Sequence, residues 1–582
     1  MNKDELTSEI KFNYVPINLD SVKELFLTGL VNINIDSPLF FGIFDIRVNQ
    51  SPITTIQQTI NIAIDGSASM TESCNDGKEK IQHIKHTVKN ILNYILTKSE
   101  VKIILNIFVF ESKITDILIN ESVTQENVEE LKKKIDNIHA RGGTNIEIAL
   151  KKFIELSKDN SGVVSNIFMS DGYATEGVTN SKKLTGFVNE SVSNTFIGFG
   201  IEHNPHLLLD LSSGNNASYF YIDVLENAGH VYGESLHGIL YKRFKNTILT
   251  IENGLVYNWK TNSWSTSLLI GDLISDTRKQ YHIISNNCEA VKCILTGYSN
   301  KNDSNDNDSN ENDSICMKKE FYFNKFYDDL TNYYFRQKTL QILFNSRQLN
   351  NNDDNNDYYF YNLNTIKLDS DEEREKQRNK IKKKDENIKL LKKQMKNLIK
   401  EMEDYVKSFH SEISENKFIK NLCIDIAICY KTLGTNLGQM YSCSRQTSQG
   451  TQRVHSVRTP RKDQYSLTPC YKNNNNLDDD DNDSIFNGLK TPRKNKNKNK
   501  NKQFNSFDSL DHLLNDYEDE NQDQNHDEDQ DDDVINKYID DDNEVILDSD
   551  IDTPHYCSNT LMTAILSIND KNEDDKNEDE DD

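Results

Sequence analysis

Between residues 57 and 225, short apolar runs alternate with segments whose apolar residues recur every three or four positions. The runs at 60–65, 101–110, 112–119, 163–170, 195–201 and 218–223 have the length and β-branched content of buried strands. In the first intervening segment Ile81, Ile84, Val88, Ile91, Leu92 and Ile95 share one helical face. Val128, Leu131, Ile135 and Ile138 repeat that spacing over 124–139, and Ile146, Ile148, Ala149, Phe153 and Leu156 repeat it over 145–156. Strand and helix in alternation predict an α/β fold, a doubly wound and mostly parallel sheet with helices on both faces.

The flanks lack that rhythm. Residues 25–56 are apolar with no helical period, and 230–326 are strand-like at 247–251, 255–259, 265–269, 279–284 and 291–298. Turn pairs separate these runs: Asn253-Gly254, Asn262-Ser263 and Asn286-Asn287. Strands on both sides predict an antiparallel β-sandwich that flanks the α/β unit or receives it as an insertion. Residues 321–349 and 372–434 read as helical. Leu390, Leu391, Met395, Leu398, Ile399 and Met402 form one stripe; Phe418, Leu422, Ile426 and Tyr430 form another. A helical hairpin packed on the sandwich is favoured over a coiled-coil dimer. The Asn/Asp/Ser tracts at 300–314 and 350–357 read as solvated loops. The expected layout is a β segment at 1–56 that joins the sandwich, the α/β domain at 57–225, the sandwich at 226–326, a helical region at 327–445 and a low-complexity tail at 446–582.

Composition sharpens this division. Only 35% of the 582 residues are hydrophobic, and the deficit is concentrated in the tail, where Asn, Asp, Lys, Gln and Ser dominate. Such a segment is expected to be disordered, because it has too little apolar surface to offset its chain entropy. Of the net charge of −26, about −20 lies after residue 450. The folded part is therefore only mildly acidic, which argues against nucleic-acid binding by it and against adhesion to anionic membranes. The N-terminus has no apolar signal core, and no apolar run reaches membrane-spanning length. Nine scattered cysteines, an odd number without a Cys-x-x-Cys pair, point to reduced thiols and an intracellular, cytoplasmic protein. The tail repeats the word Thr-Pro-Arg-Lys at Thr459 and Thr491. The second copy opens a basic run that is either a nuclear-import signal or an accident of repeat expansion.

Candidate chemistry lies in three segments of the α/β unit. They are Asp65-Gly-Ser67-Ala-Ser69, Gly142-Gly-Thr144 and Ser170-Asp171-Gly172. The first and third follow apolar runs, where an open parallel sheet places its ligand-binding loops. Asp65, Ser67, Ser69, Thr144 and Asp171 could converge on one hard cation. Oxygen-only donors suit Mg²⁺, Mn²⁺ or Ca²⁺ rather than zinc.

In this order the three segments resemble the von Willebrand factor A domain and its metal-ion-dependent adhesion site. The resemblance implies the five residues as the metal set and a non-enzymatic module. In such a module the ion captures an Asp or Glu of a protein partner. An alternative is a scaffold or substrate-adaptor subunit of a larger intracellular machine, an AAA-type ATPase or a ubiquitin ligase, with activity supplied in trans. Met70, Thr71, Glu72, Tyr173, Thr175 and Glu176 are expected to rim the ion. Glu72, Glu147 and Glu176 are the nearby acid–base candidates, but none belongs to a known catalytic pattern, and no phosphate-binding loop or nucleophile elbow occurs. The chain is not expected to be an enzyme.

Overall fold

The computed structural model describes residues 6–16, 37–50, 57–74, 77–98, 100–158, 162–171, 173–199, 203–214, 216–222, 228–299, 315–327, 329–349, 371–409 and 416–452. Strands β1 (Leu6–Asn13) and β2 (Phe40–Val48) precede a six-stranded sheet. That sheet consists of β3 (Gln58–Asp65), β4 (Ile103–Phe110), β5 (Ile114–Glu121), β6 (Val163–Ser170), β7 (Ser193–Phe199) and β8 (Ala217–Ile222). Its order is β5-β4-β3-β6-β7-β8, parallel except for the edge strand β5. One face is covered by α1 (Lys80–Leu96), α2 (Val128–Asp136) and α6 (Ala228–Leu240), which bury Ile84, Val88, Leu131, Tyr232 and Leu236 against Ile60, Ile62 and Ile64. The opposite face carries α3 (Ile146–Ser157), α4 (Ser181–Thr185) and α5 (Pro205–Leu211). This is the doubly wound α/β fold expected from the alternating pattern.

Parity on β3 organises the second face. Asn61, Ala63 and Asp65 all point to it, as strand alternation requires. At the middle level, small Ala63 lies between Phe108 and Phe168, its partners on the neighbouring strands. Phe168 stacks on Phe110 at 5.0 Å and contacts Phe196 at 5.8 Å. One level toward the strand N-termini runs a chain of buried amides. Asn106 Nδ2 donates to Asn61 Oδ1 (2.7 Å), Asn61 Nδ2 to Asn166 Oδ1 (2.8 Å) and Asn166 Nδ2 to Asn194 Oδ1 (2.9 Å). Asn120 N closes one end on Asn106 Oδ1, and Asn194 Nδ2 closes the other on the carbonyls of Asn189 and Val192.

The flanking strands form two sheets. One is ordered β11-β10-β13-β2-β1-β16 and contains β10 (Leu255–Asn258), β11 (Ser263–Ser265), β13 (Thr277–Ser285) and β16 (Lys325–Tyr327). The other is ordered β12-β9-β14-β15, from β9 (Lys242–Glu252), β12 (Ser267–Ile274), β14 (Lys292–Ser299) and β15 (Ile315–Tyr322). Ile10, Phe12, Phe44, Ile46, Leu249, Cys293 and Leu295 fill the space between them. All pairings in both sheets are antiparallel except β1 with β16. Because β1 and β2 precede the α/β unit and their partners β13 and β16 follow it, the unit is inserted into the sandwich.

Several expectations need correction. Residues 230–240, read as strand-like, are the helix α6, since Val231, Tyr232, Leu236, Ile239 and Leu240 fall at helical spacing and are buried on one face. Residues 321–322 and 325–327 are strand, and the helix α7 starts only at Thr331 (Thr331–Gln348). The span 372–434 divides into α8 (Asp371–Phe409) and α9 (Lys417–Thr432). Strand β1 falls within the β segment expected at 1–56, although Thr7, Ser8 and Glu9 interrupt its apolar pattern. Of the stripe on α8, Leu391, Met395, Leu398, Ile399 and Met402 are buried within the chain, but Leu390 is 57% exposed. Residues 17–36, 51–56, 300–314, 350–357 and the tail from 453 lie outside the described residues.

The helices do more than pack on the sandwich. Helix α7 covers the outer face of the β2-containing sheet, where Phe41 meets Tyr334 at 5.8 Å and His282 Nδ1 bonds Gln337 Oε1 at 2.7 Å. A further helix, α10 (Asn436–Thr451), carries Tyr441 onto Tyr221 of β8 (6.0 Å), and Ile428 of α9 joins the same core. Thus one helical layer contacts both the α/β unit and the sandwich.

Helix α10 also moves the expected boundary at 446. Gln446 accepts from Arg347 Nη1 (2.6 Å) and donates to Trp259 O (2.7 Å), and Gln452 exchanges two bonds with the Gln280 backbone (2.9 and 2.6 Å). Glutamine and serine content hid this turn among the low-complexity residues. A chain ending at 445 should lose more than about 3 kcal/mol in denaturant unfolding, because it strands several buried donors and acceptors. One ending at 452 should match the full chain.

Burial also makes two histidines acid-sensitive. It depresses the His282 imidazole from its usual 6.5 to about 3, with the nearby Arg336 charge adding to the effect. His237 is depressed to about 4 by burial and the Lys98 charge. The unfolded chain therefore takes up protons near pH 6.5 that the folded chain refuses. The resulting stability is complete above that pH and is lost as the pH falls toward 4. Relative to His282→Gln, the full chain should lose about 1 kcal/mol in unfolding free energy between pH 6 and pH 5.

Candidate metal centre

Strand register brings Asp65, at the end of β3, level with Ser170, at the end of β6. Ser170 Oγ donates to Asp65 Oδ2 at 2.6 Å, and the Ser67 amide donates to Asp65 Oδ1 at 2.9 Å. The intervening Gly66 is required by space, since a Cβ there would stand 2.3 Å from Val109 Cγ1 of β4. A short 3₁₀ turn, Ala68–Thr71, then places Ser69 beside Ser67, with their hydroxyl oxygens 2.9 Å apart. Ser69 Oγ donates to Asp171 Oδ1 at 2.8 Å. Asp65, Ser67, Ser69 and Asp171 thus lie in one cluster, with only Ser69 partly exposed.

Thr144 is tied in through its loop. Ala68 N donates to Gly142 O (3.1 Å) and Arg141 N to Gly66 O (2.6 Å), so the Arg141–Thr144 segment is hydrogen-bonded along the Asp65–Ser69 turn. Gly142 makes this possible with φ +77, a conformation other residues rarely adopt. Thr144 itself is buried. Its amide donates to Thr175 Oγ1 (2.8 Å), and its carbonyl accepts from the amides of Thr175 and Glu176.

Two carboxylates buried side by side are electrostatically unfavourable. Burial pushes the Asp65 carboxyl up to about 6, with the charge of Asp171 raising it and the bonds from Ser170 and Ser67 opposing. Lys80, the first residue of α1, answers part of this charge. Its Nζ lies 2.8 Å from Asp171 Oδ2 and 2.5 Å from Glu72 Oε2. Burial alone would lower the ammonium, but its bonds to Asp171 and Glu72 raise it overall, so it stays charged. Sequence reading missed Lys80 and the supporting role of Ser170. The signal for Lys80 was its place at a helix N-terminus, where a cation opposes the helix dipole and needs an anionic partner.

The rim differs from expectation at Met70, which is fully buried in the core beneath α1. Tyr173 is 43% exposed. The three acid–base candidates have separate structural bonds. Glu72 is paired with Lys80, Glu147 accepts from Val178 N (2.8 Å) and pairs with Lys151, and Glu176 accepts from Ser112 Oγ (2.8 Å). Among the described residues there is no cluster of three His, Cys, Asp or Glu suited to a metal. The donor set here has two carboxylates and depends on hydroxyls for the rest. That chemistry fits a hard divalent cation, and the ammonium drawn onto Asp171 shows the cluster's affinity for positive charge.

No helix among the described residues is long and apolar enough to cross a membrane. No curated protein matches the chain. Among solved structures it is similar to a von Willebrand factor type A protein from Catenulispora acidiphila, with 12% identity, a TM-score of 0.41, and coverage of 60% of this chain and 83% of that one. It is also similar to the ArnB paralog VWA2 from Sulfolobus acidocaldarius, with 12% identity, a TM-score of 0.41, and coverage of 77% and 99%. Proximal thread matrix protein 1 from the mussel byssus, described with a zinc-occupied MIDAS motif, is 16% identical over 31% of this chain and 46% of that one, with a TM-score of 0.25. The family model that matches, over residues 59–232, is that of the von Willebrand factor type A domain, and the inserted α/β unit of this chain is such a domain.

Proposed function

We propose that the chain is a non-enzymatic protein-binding module whose von Willebrand factor A domain holds a divalent cation, Mg²⁺ or else Mn²⁺ or Ca²⁺, and captures an Asp or Glu of a partner. One observation carries this reading: Asp65, Ser67, Ser69 and Asp171, from two different strand ends, form a single oxygen-only cluster. Asp65 and Asp171 would supply the charge and Ser67, Ser69 and Thr144 the neutral oxygens. A bound hard ion supplies an electropositive position that an incoming carboxylate can complete. Ser170 orients Asp65, and Ser69 orients Asp171. The remaining rim, with Tyr173 exposed beside Asp171, offers an aromatic surface for the partner's neighbouring residues.

The test is recovery of partners by the immobilised full chain in Mg²⁺ and in chelator, combined with calorimetric titration of Mg²⁺ into the metal-free chain. Saturable ion binding and a partner released by chelator are the expected results. Absence of ion binding at millimolar Mg²⁺, or a partner retained equally in chelator, would overturn the reading. Recovery of an ATPase or a ubiquitin ligase would place the module within a larger machine.

A further inference from the structure

Lys80 does not belong to the set of oxygen donors, yet it contacts one of them directly. Its side chain is 15% exposed, and its ammonium bridges Asp171 Oδ2 (2.8 Å) and Glu72 Oε2 (2.5 Å). Asp171 is thereby fully engaged, since its other oxygen accepts from Ser69. Glu72 is different: its side chain is 56% exposed, and its backbone carbonyl accepts from the Lys80 amide at 3.0 Å. The two residues are therefore joined by main chain as well as by side chain. If the ammonium leaves Asp171, it can remain on Glu72 without any movement of α1.

We propose that Lys80 is a built-in competitor for the divalent ion. Its ammonium occupies Asp171 while the site is metal-free and is held by Glu72 when the ion binds, so the Lys80–Glu72 pair sets the affinity of the site. This rests on the reading of the cluster as a metal site and adds to it the residue that tunes it. Ion and ammonium cannot both take the same carboxylate oxygen at bonding distance, and two positive charges so close repel strongly where burial limits screening. Binding then requires an ion concentration high enough to displace the lysine. The cluster is neither left with two uncompensated carboxylates nor permanently loaded.

Calorimetric titration of Mn²⁺ into the full chain and its variants tests this. Lys80→Met should tighten Mn²⁺ binding by about tenfold or more. Lys80→Arg, which keeps the charge, should stay near the unaltered chain. Arg141→Met removes a cation that pairs with Glu111 instead (3.2 Å) and controls for the general field of the protein. It should change the affinity far less than Lys80→Met. Thermal unfolding of each variant without metal establishes that it is folded, and Lys80→Gln replaces Lys80→Met if the latter is not. An unaltered chain that binds Mn²⁺ with a Lys80→Met variant that binds no tighter overturns the competition and leaves the metal site standing. Equal gains from Lys80→Met and Arg141→Met also overturn it, since the effect would then be general electrostatics. Absence of Mn²⁺ binding by every chain overturns the metal reading itself, and the proposal with it.

Discussion

Asp65→Ala should remove most of the stabilisation that Mg²⁺ confers, while the metal-free variant unfolds close to the metal-free unaltered chain. An ion that binds only the folded state raises its stability in proportion to the logarithm of ion concentration over Kd, about 2.7 kcal/mol at a hundredfold excess. Asp65 provides one of the two negative charges of the cluster, and its loss should weaken the ion by about a hundredfold, which cuts that increment to about 0.4 kcal/mol at the same Mg²⁺ concentration. The cost to the fold is small because two effects oppose. Alanine leaves the Ser170 hydroxyl and the Ser67 amide without their carboxylate. It also removes a carboxyl whose ionised form burial disfavours. Thermal unfolding of both chains, with Mg²⁺ and with chelator, reads both parts. If the variant keeps the unaltered Mg²⁺ shift, the ion binds elsewhere.

Asn166→Leu should destabilise the domain by about 3–5 kcal/mol, more than an exposed polar substitution by an order of magnitude. Asn166 is both donor and acceptor in the amide chain, so leucine strands the Asn61 Nδ2 donor and the Asn194 Oδ1 acceptor in the same step. Each buried group left unpaired costs about 1–3 kcal/mol. Asn61→Leu should cost a similar amount. The double variant should cost less than the two together, because the bond between them is lost once. Urea unfolding of the four chains completes the cycle. Strict additivity would mean that the two amides do not interact.

Asp65 and Asn166 differ in how far the sequence reveals their roles. Asp65, Ser67, Ser69 and Asp171 stood out because their segments follow apolar runs and, with Gly142-Gly-Thr144, occur in the order that resembles the von Willebrand factor A domain. Helices α1, α2 and α3 were equally plain, since each buries a single stripe. The amide chain was not visible. Asn61, Asn106, Asn166 and Asn194 each look like an isolated polar interruption of a strand, and only the parallel register aligns them. Lys80 was obscured for a related reason: its partner Asp171 is on a different strand end, 91 residues away. The bounds of β1 within the expected β segment, and the last turns of α10, were not legible because their stability depends on distant elements. Leu6, Ile10 and Phe12 need the opposite sheet, and Gln446 and Gln452 need Trp259 and Gln280. Composition reports what a segment can bury by itself and says little about polar segments whose partners come from elsewhere.

The insertion imposes an order of events on the ribosome. Strand β2 pairs through all nine of its residues with β13, from Phe40 with Ser285 to Val48 with Thr277. When β2 emerges, that partner has yet to be translated, and at about 5–20 residues per second the wait is on the order of ten to fifty seconds. The inserted domain needs nothing from outside to complete its own sheet, so it can close during this interval. The apolar edge of β2, with Phe41, Ile43, Phe44 and Ile46, meanwhile stands open to other chains. Vectorial synthesis therefore makes the N-terminal strand pair, rather than the large α/β domain, the point at which nascent chains most need protection from one another.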